Sequence, residues 1–485
     1  MGRQSAVNND FSKYYQRLLG ITVLLGVIAI LWGLGSMNLM SLNEGRRALA
    51  IKEMFNSGDW LIPRLNGELY LTKPPFLYWI SASFSYLFGG VTEWTLRLPS
   101  ALAALAVLYM AYQYTSKYFG IWAALFTTQL LIANAGFAML ARRAEIEMLL
   151  TALCVGAIFS AVHYIKQEGN RYWIYLSYFL LGLAVLTKGP VALLFVTLPL
   201  IFTAFWTKDA RVKQLLTNKT GWLIFLVVSL SWYIVVTMKL GPDIWATIIK
   251  RDMVGKMQGD NNVKPILSYI GWIVVDFLLL AGLLLVKPKA LFKRYRDQLP
   301  FIIPVLAIVV PLIVFSAFSN KHAKYLLPIY PFLAIVLGVQ LASIFEGVNR
   351  QIKIGILALG ILLPMIFAGF YTLAEARVFD YRVSVFPKFR VWSATVNEPQ
   401  LYAYGDIDSR LIYYASKPVQ SLDKTALNEM RKNHESMILL IEADQLTEIF
   451  PNADCKLEEF QPYLKKNKKL VALGFGAACN ADDGN

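Results

Sequence analysis

The sequence predicts a polytopic α-helical membrane protein that carries a small C-terminal α/β domain. Three observations lead there. The chain has 485 residues, 56% hydrophobic and 16% charged, with a mean hydropathy of +0.48. A soluble chain of this length needs a far more polar surface. Apolar runs of about 20 residues, the length that crosses a bilayer, recur between short charged breaks. From about residue 395 this pattern gives way to short alternating runs and turn residues.

The spanning runs fall at about 18–40, 94–114, 120–140, 147–165, 172–187, 190–206, 220–239, 266–286, 299–318, 325–345 and 354–373, about eleven helices. The first is too long for a cleaved signal peptide and lacks a small-residue cleavage site, so it is expected to persist as a helix. The stretch "FLYWISASFSYLFGG" (76–90) is apolar but short and aromatic, and is expected to lie in the interface or re-enter.

Basic loops set the orientation. "TKDARVKQLLTNK" (207–219) and "KPKALFKRYRDQ" (287–298) read as cytoplasmic, together with an N-terminus containing Arg3, Lys13 and Arg17. An odd number of spans then puts the tail outside. The outer loops nevertheless hold Arg46, Arg47, Lys73, Arg142, Arg143, Lys188, Lys250, Arg251, Lys256, Lys321 and Lys324. Either the topology is inverted, or these cations serve an anionic ligand. The net charge of +15 reads as cytoplasmic anchoring and contact with anionic membrane lipid. Its scatter over many loops argues against nucleic acid as a partner.

The tail begins "PQLYAYGDIDSRLIYYASKPVQSL", continues with the polar helical pattern "TALNEMRKNHE" and the apolar strand "SMILLIE", and ends in "ADQLTEIF" and beyond. The expected division is a transmembrane domain over 1–375, including a first outer loop at 41–93, and a soluble α/β domain over 395–485. No internal repeat is visible. Cys154 sits in an apolar run as core packing; Cys455 and Cys479 would pair if the tail faces an oxidising compartment. The histidines are His163, His322 and His434, and no Cys/His spacing suits zinc.

Four charged segments carry the chemistry, each with a plainer structural alternative. In "NEGRRALAIKEM", Glu44 and Arg47 lie at i, i+3, as on a surface helix joined by ion pairs. That loop closes with "LTKPP", where Pro74 and Pro75 stiffen the chain after Lys73, well placed to meet a phosphate. In "ARRAEIEMLL", Glu145 and Glu147 stand two apart. On a helix they would diverge, leaving one to face a cavity; the alternative is a pair of acids neutralised by Arg142 and Arg143. In "SNKHAKYLLPIYP", Lys321, His322, Lys324 and Tyr325 precede two prolines, either as donors above a kinked helix or as an interface belt. In "LTKGPVALL", Lys188 ends a span before Gly189-Pro190, which is also plain punctuation. Asp276, inside "WIVVDFLLL", reads as a helix–helix hydrogen-bonding group.

These motifs, in this order over about residues 40–335, resemble the aminoarabinose transferase and protein O-mannosyltransferase-like superfamily, the ArnT-like GT-C class of glycosyltransferases. That family opens its first outer loop with "DE" and an arginine two residues on, and closes it with "KP". "ARRAEIEMLL" is similar to its second acidic motif, "LTKGPVALL" to its Lys-Gly-Pro segment, and "KHAKYLLPIYP" to its "K-x-x-x-YLLP-x-YP" element. The tail is similar to the small outer domain of bacterial members.

The resemblance implies an inverting transfer of a sugar from polyprenyl (undecaprenyl) phosphate to a lipid A, glycan or protein acceptor at the periplasmic face of the bacterial inner membrane. By position, Arg46 and Lys73 would bind the donor phosphate with Lys321, Lys324 and Tyr325, and Glu44 and Glu147 would be the acids near the reacting centre. Asn43, Arg47, Arg142, Arg143, Glu145, Lys188 and His322 would support them. Two positions depart from the family: Asn43 replaces an acid that is often Asp, and Glu147 is one methylene longer than the usual Asp. A phosphate acceptor is already an ionised nucleophile and needs no base; a hydroxyl acceptor would need Glu44 or Glu147. No D-x-D lies in an outer loop near the motifs, and Asp406–Asp408 reads as a turn, so no cofactor is expected to be required, with cations taking a metal's place. A lipid or polysaccharide transporter would suit the span count, but predicts charges deep within helices and a repeat. A non-catalytic subunit would leave the ordered charges without a purpose.

Overall fold

The computed structural model describes residues 14–166, 170–258, 264–278, 280–286, 288–375, 385–405, 407–433, 436–443, 445–446, 454–460 and 469–482. Arg3 and Lys13, the side chains of Arg251 and Lys256, Asp406, His434 and most of "ADQLTEIF" lie outside these residues. The chain divides into two compact units: Met1–Leu34, Leu71–Ile80 and Arg97–Thr372 form one; Gly35–Tyr70, Ser81–Leu96 and Leu373–Asn485 form the other. The first outer loop thus groups largely with the tail.

The first unit is helical. Among the described residues, six helices are long and apolar enough to cross a membrane: Glu93–Phe119, Ile146–Lys166, Lys219–Leu240, Leu299–Ala317, Ala323–Gly347 and Arg350–Phe370. A pair, Ile121–Ile132 and Ala135–Ala141, bends by 68° at Ala133-Asn134, where the Asn134 side chain caps the second helix through the Phe137 amide. Tyr15–Leu31, Tyr172–Lys188 and Ala192–Thr207 are shorter apolar helices. The run read as one span over 266–286 is instead a helix Ser268–Asp276 and a 3₁₀ turn Leu280–Leu285, joined through Leu278 at φ 50°.

Burial separates inner from outer helices. Ile146–Lys166 is 83% buried over its most apolar window, whereas Lys219–Leu240 is 22% buried and turns Leu223, Val227, Ile234 and Met238 outward. An apolar exposed face of this length is stable only against lipid. Small residues let inner helices approach: a Cβ on Gly338 would lie 2.3 Å from Thr127 Oγ1, so the helices Tyr330–Gly347 and Ile121–Ile132 meet nearly backbone to backbone. Asp276 accepts a hydrogen bond from Tyr330 Oη, the helix–helix role its position suggested.

The second unit joins the first loop to a mixed sheet. Ser41 caps the helix Leu42–Ser57 by accepting from the Glu44 amide at 3.0 Å, and Gly58 ends it at φ 70°. Strands β1 (Arg64–Leu65) and β2 (Glu68–Leu69) form a hairpin whose two-residue turn, Asn66-Gly67, takes positive φ at both positions. The tail sheet comprises β3 (Leu401–Tyr404), β4 (Val419–Leu422), β5 (Met437–Glu442), β6 (Cys455–Phe460) and β7 (Leu470–Phe475), in the order β4-β3-β5-β7-β6. β3 runs parallel to β4 and β5, while β7 is antiparallel to β5 and β6. Cys455 and Cys479 are joined in a disulfide.

The helix Leu42–Ser57 packs on the helix Ser409–Tyr414 at a point of very close approach. A Cβ on Gly45 would fall 2.4 Å from Arg410 Cγ, so only glycine fits. Arg410 is itself 2% exposed and pairs with Asp408 at 2.7 Å, its charge fully matched out of water. Asp408 also caps that helix through the Arg410 amide. The expected turn at 406–408 is therefore, at its described end, a helix cap and a buried ion pair.

Candidate active site

Three segments of the first unit bring a charged cluster together. The helix Ile146–Lys166 carries Glu147 in its first turn, with Glu145 in the irregular turn just before it. The helix Tyr172–Lys188 ends in Lys188, and Gly189 at φ 81° followed by Pro190 turns the chain away. The 3₁₀ helix Ala323–Ile329 supplies Lys324 and Tyr325.

Lys324 Nζ donates to Glu145 Oε2 at 2.6 Å and lies 3.8 Å from Glu147 Oε1. Lys188 Nζ meets the same Glu147 oxygen at 3.3 Å and sits over the Tyr325 ring, 4.7 Å from its centroid. The carboxylates are 2% exposed, the lysines 14% and 20%. The two acids therefore converge, contrary to the divergence a continuous helix would impose. The reason is local: residues 142–145 are not helical, and the Glu145 amide bonds to Arg143 O at 2.7 Å.

A second pair of lysines joins Lys321, three residues before Lys324, to Lys264. Lys321, 2% exposed, donates to Lys264 O at 3.1 Å and to Phe318 O, while Lys264 Nζ donates to Lys321 O at 2.9 Å. The reciprocal bonds fix both stems. Lys264 was missed by sequence reading because it belongs to no apolar run or motif. The His322 ring lies 5.0 Å from that of Tyr325. Its imidazolium is held below the ordinary histidine range, first by burial and then by the charges of Lys264 and Lys324.

The other expected site residues divide by location. Lys73, half-buried before Pro74-Pro75, falls in the first unit. Arg142 is buried and donates to the carbonyls of Ala29 and Ile30, both at 3.1 Å, which ties its turn to the first helix; Arg143 is half-buried. Asn43, Glu44, Arg46 and Arg47 lie on the helix Leu42–Ser57 of the second unit: Glu44 and Arg47 buried, Arg46 exposed, Asn43 half-buried. One Glu44 oxygen accepts from the Met40 amide at 2.7 Å while Ser41 accepts from the Glu44 amide, a reciprocal cap. That cap is a structural duty for Glu44 which the Ser-x-x-Glu spacing already contained.

Lysine ammoniums gathered around two acids at helix ends match no hydrolytic triad. They suit an anion brought to the edge of a bilayer. Comparison with known proteins narrows this. Residues 72–237 match the family model described as dolichyl-phosphate-mannose-protein mannosyltransferase. The fold superposes on ArnT from Cupriavidus metallidurans, solved with undecaprenyl phosphate, at a TM-score of 0.76 and 20% identity, covering 93% of this chain and 97% of that one. The fold is that of ArnT. It is a multi-pass membrane protein. A Shewanella sediminis undecaprenyl phosphate-alpha-4-amino-4-deoxy-L-arabinose arabinosyl transferase is 27% identical over 69% of this chain and 62% of its own length. The match thus spans about three fifths of that ArnT relative. An uncharacterized Aquifex aeolicus protein is 27% identical over 83% of this chain and 88% of its own.

Proposed function

We propose that the chain is an inverting glycosyltransferase that moves a sugar from polyprenyl phosphate, typically undecaprenyl phosphate, to a lipid, glycan or protein acceptor. The observation that carries this reading is the convergence of Lys188 and Lys324 on Glu145 and Glu147, beside the Lys264–Lys321 pair.

The charge balance suits the chemistry. In the donor, the phosphate bridging sugar and lipid is a diester bearing one negative charge. When the acceptor oxygen bonds to the anomeric carbon, the bond from that carbon to the phosphate oxygen breaks; a hydroxyl acceptor gives its proton to Glu44 or Glu147, and an ionised phosphate acceptor has none to give. The electron pair leaves with the phosphate, which becomes a monoester with a second negative charge. Ammonium groups already in place stabilise that charge more in the transition state than in the ground state, which is what accelerates a reaction. Lys188 and Lys324 supply positive charge for this purpose, and Lys264 and Lys321 add to it in this proposal. Glu145 and Glu147 position the lysines, Lys324 through both acids and Lys188 through Glu147. Lys73 and Arg46 remain donor-phosphate ligands in this proposal, with Tyr325 walling the site. Glu44 retains an acidic role alongside its capping bond. No metal is required where lysines meet the phosphate.

The proposed setting is the bacterial inner membrane, with the N-terminus cytoplasmic and the sheet-bearing tail periplasmic. The Cys455–Cys479 disulfide supports an oxidising side for the tail, and the basic segments 207–219 and 287–298 support a cytoplasmic side for those loops. Residues 1–375 form the transmembrane domain and 395–485 the soluble domain in this reading. The test uses the purified full chain in lipid nanodiscs with a panel of radiolabelled undecaprenyl-phosphate sugars and lipid A, glycan or peptide acceptors. Label should pass to one acceptor class with inverted anomeric configuration; retention of configuration, or transport without transfer, would overturn the reading.

A further inference from the structure

The second unit holds a cationic cleft that the proposed transfer chemistry does not use. A cavity of about 280 Å³ opens between the helix Leu42–Ser57, the helix Val385–Thr395 and the segment Tyr413–Ser416. Lys52, Asn56, Ala415 and Ser416 also line a second cavity of about 400 Å³, so the two share one wall.

Two positive side chains are built into the first cavity. Lys52 Nζ donates to Tyr413 O at 2.7 Å and lies 5.3 Å from the Tyr413 ring centroid. The Arg390 guanidinium lies 4.9 Å from the centroid of the Tyr414 ring. Both tyrosines are themselves fixed: Tyr413 Oη donates to Val91 O at 3.3 Å, and Tyr414 Oη donates to Glu93 at 2.6 Å and accepts from the Leu39 amide at 2.9 Å. The half-buried Lys52 and the exposed Arg390 thus each rest against an aromatic ring that is itself fixed.

Their charges oppose one another. Burial lowers the Lys52 ammonium from the ordinary lysine range, and the Arg390 charge lowers it further. Glu53, the adjacent acid, raises it in turn, while its two oxygens accept the amides of Asn66 at 2.6 Å and Gly67 at 3.1 Å and so close the hairpin turn. Lys417, in the second cavity, donates to Val396 O and Glu398 O. Lys52 and Arg390 line the same cavity, so an anion seated there meets both positive charges. The Asn56 amide adds a neutral donor, the Ser416 hydroxyl being given to Arg390 O at 2.9 Å, and a tetrahedral oxyanion accepts from several directions at once.

We infer that this cleft is a binding site for a phosphate ester, held by Lys52 and Arg390. The phosphate belongs either to a lipid headgroup or to a soluble sugar phosphate. If the glycosyl-transfer reading holds, the site anchors an acidic acceptor, but the binding itself does not depend on that reading.

The test is thermal unfolding of the purified full chain in nanodiscs of phosphatidylcholine. One arm adds glucose 6-phosphate, with glucose as control; the other replaces 20 mol% of the lipid, a working value of roughly one in five, by phosphatidic acid. A rise in Tm in the first arm identifies a soluble ligand, and in the second alone a headgroup. In either case the Lys52→Gln/Arg390→Gln protein should bind roughly tenfold or more weakly, the cost of losing charge-assisted hydrogen bonds. The charge-preserving Lys52→Arg should bind within about threefold of the natural protein, a difference under 1 kcal/mol. Release of sugar from the polyprenyl donor to water is measured in parallel and should be unchanged in the double variant. Failure of the transfer reading would show there, while failure of this inference would show as equal stabilisation of natural and double-variant protein, or as none in either arm.

Discussion

The Lys324 ammonium lies 2.6 Å from the Glu145 carboxylate, joining residues 179 apart in the chain inside a site whose acids are 2% exposed. A pair so buried is costly to leave half-made. Removing one partner strands a charge, at about 3–5 kcal/mol, whereas a well-packed neutral pair avoids that penalty. Lys324→Ala should lower the transfer rate by roughly 10²–10³, as when a preorganised electrostatic group is lost. Glu145→Gln, which releases Lys324 from its tether, should lower it by less and mainly through kcat. Steady-state transfer assays on both variants check this; equal and negligible effects would contradict the assignment.

Gly45 and Arg410 make a separate prediction about folding. Because a Cβ at residue 45 would reach within 2.4 Å of Arg410 Cγ, Gly45→Ala should force the helices apart and cost about 1–3 kcal/mol. Limited proteolysis of the full chain would register this as faster cleavage within the tail, with the first unit's fragments unchanged.

Asp408 and Arg410 test the buried ion pair. Asp408→Asn should destabilise the second unit by about 3–5 kcal/mol, because it leaves Arg410 charged and buried. Combining it with Arg410→Met should recover much of the loss. A thermal-unfolding cycle of the two single variants and the double checks this; additive losses would contradict the coupling.

His322 gives a pH dependence. Its folded imidazolium is disfavoured relative to the ordinary value of 6.5, so the unfolded chain takes up a proton before the folded chain does. This contribution to stability is present above pH 6.5 and is lost as pH falls from 6.5 through the lower folded value. NMR of the histidine-labelled protein should show the His322 midpoint below 6.5, and a midpoint at or above 6.5 would contradict the crowding by Lys264 and Lys324.

Much of the site was legible because its signals are local. Lys188 before Gly189-Pro190, the Glu145/Glu147 pair and the Lys321–Tyr325 run each announce themselves by charge beside an apolar run. The convergence of Glu145 and Glu147 was not legible, since it depends on the helix starting only at Ile146. Lys264 was hidden because its partner lies 57 residues away and its surroundings carry no pattern. The grouping of the first loop with the tail was equally hidden: the Gly45–Arg410 approach joins distant residues through shape, not periodicity.

The most direct test of the central claim is native mass spectrometry of undecaprenyl phosphate binding to the purified chain, beside the Lys324→Ala protein. The account predicts one retained lipid phosphate on the natural protein and binding weakened at least roughly tenfold in the variant, the scale of one lost charge-assisted hydrogen bond. Equal occupancy of the two proteins, or no binding to either, would contradict it.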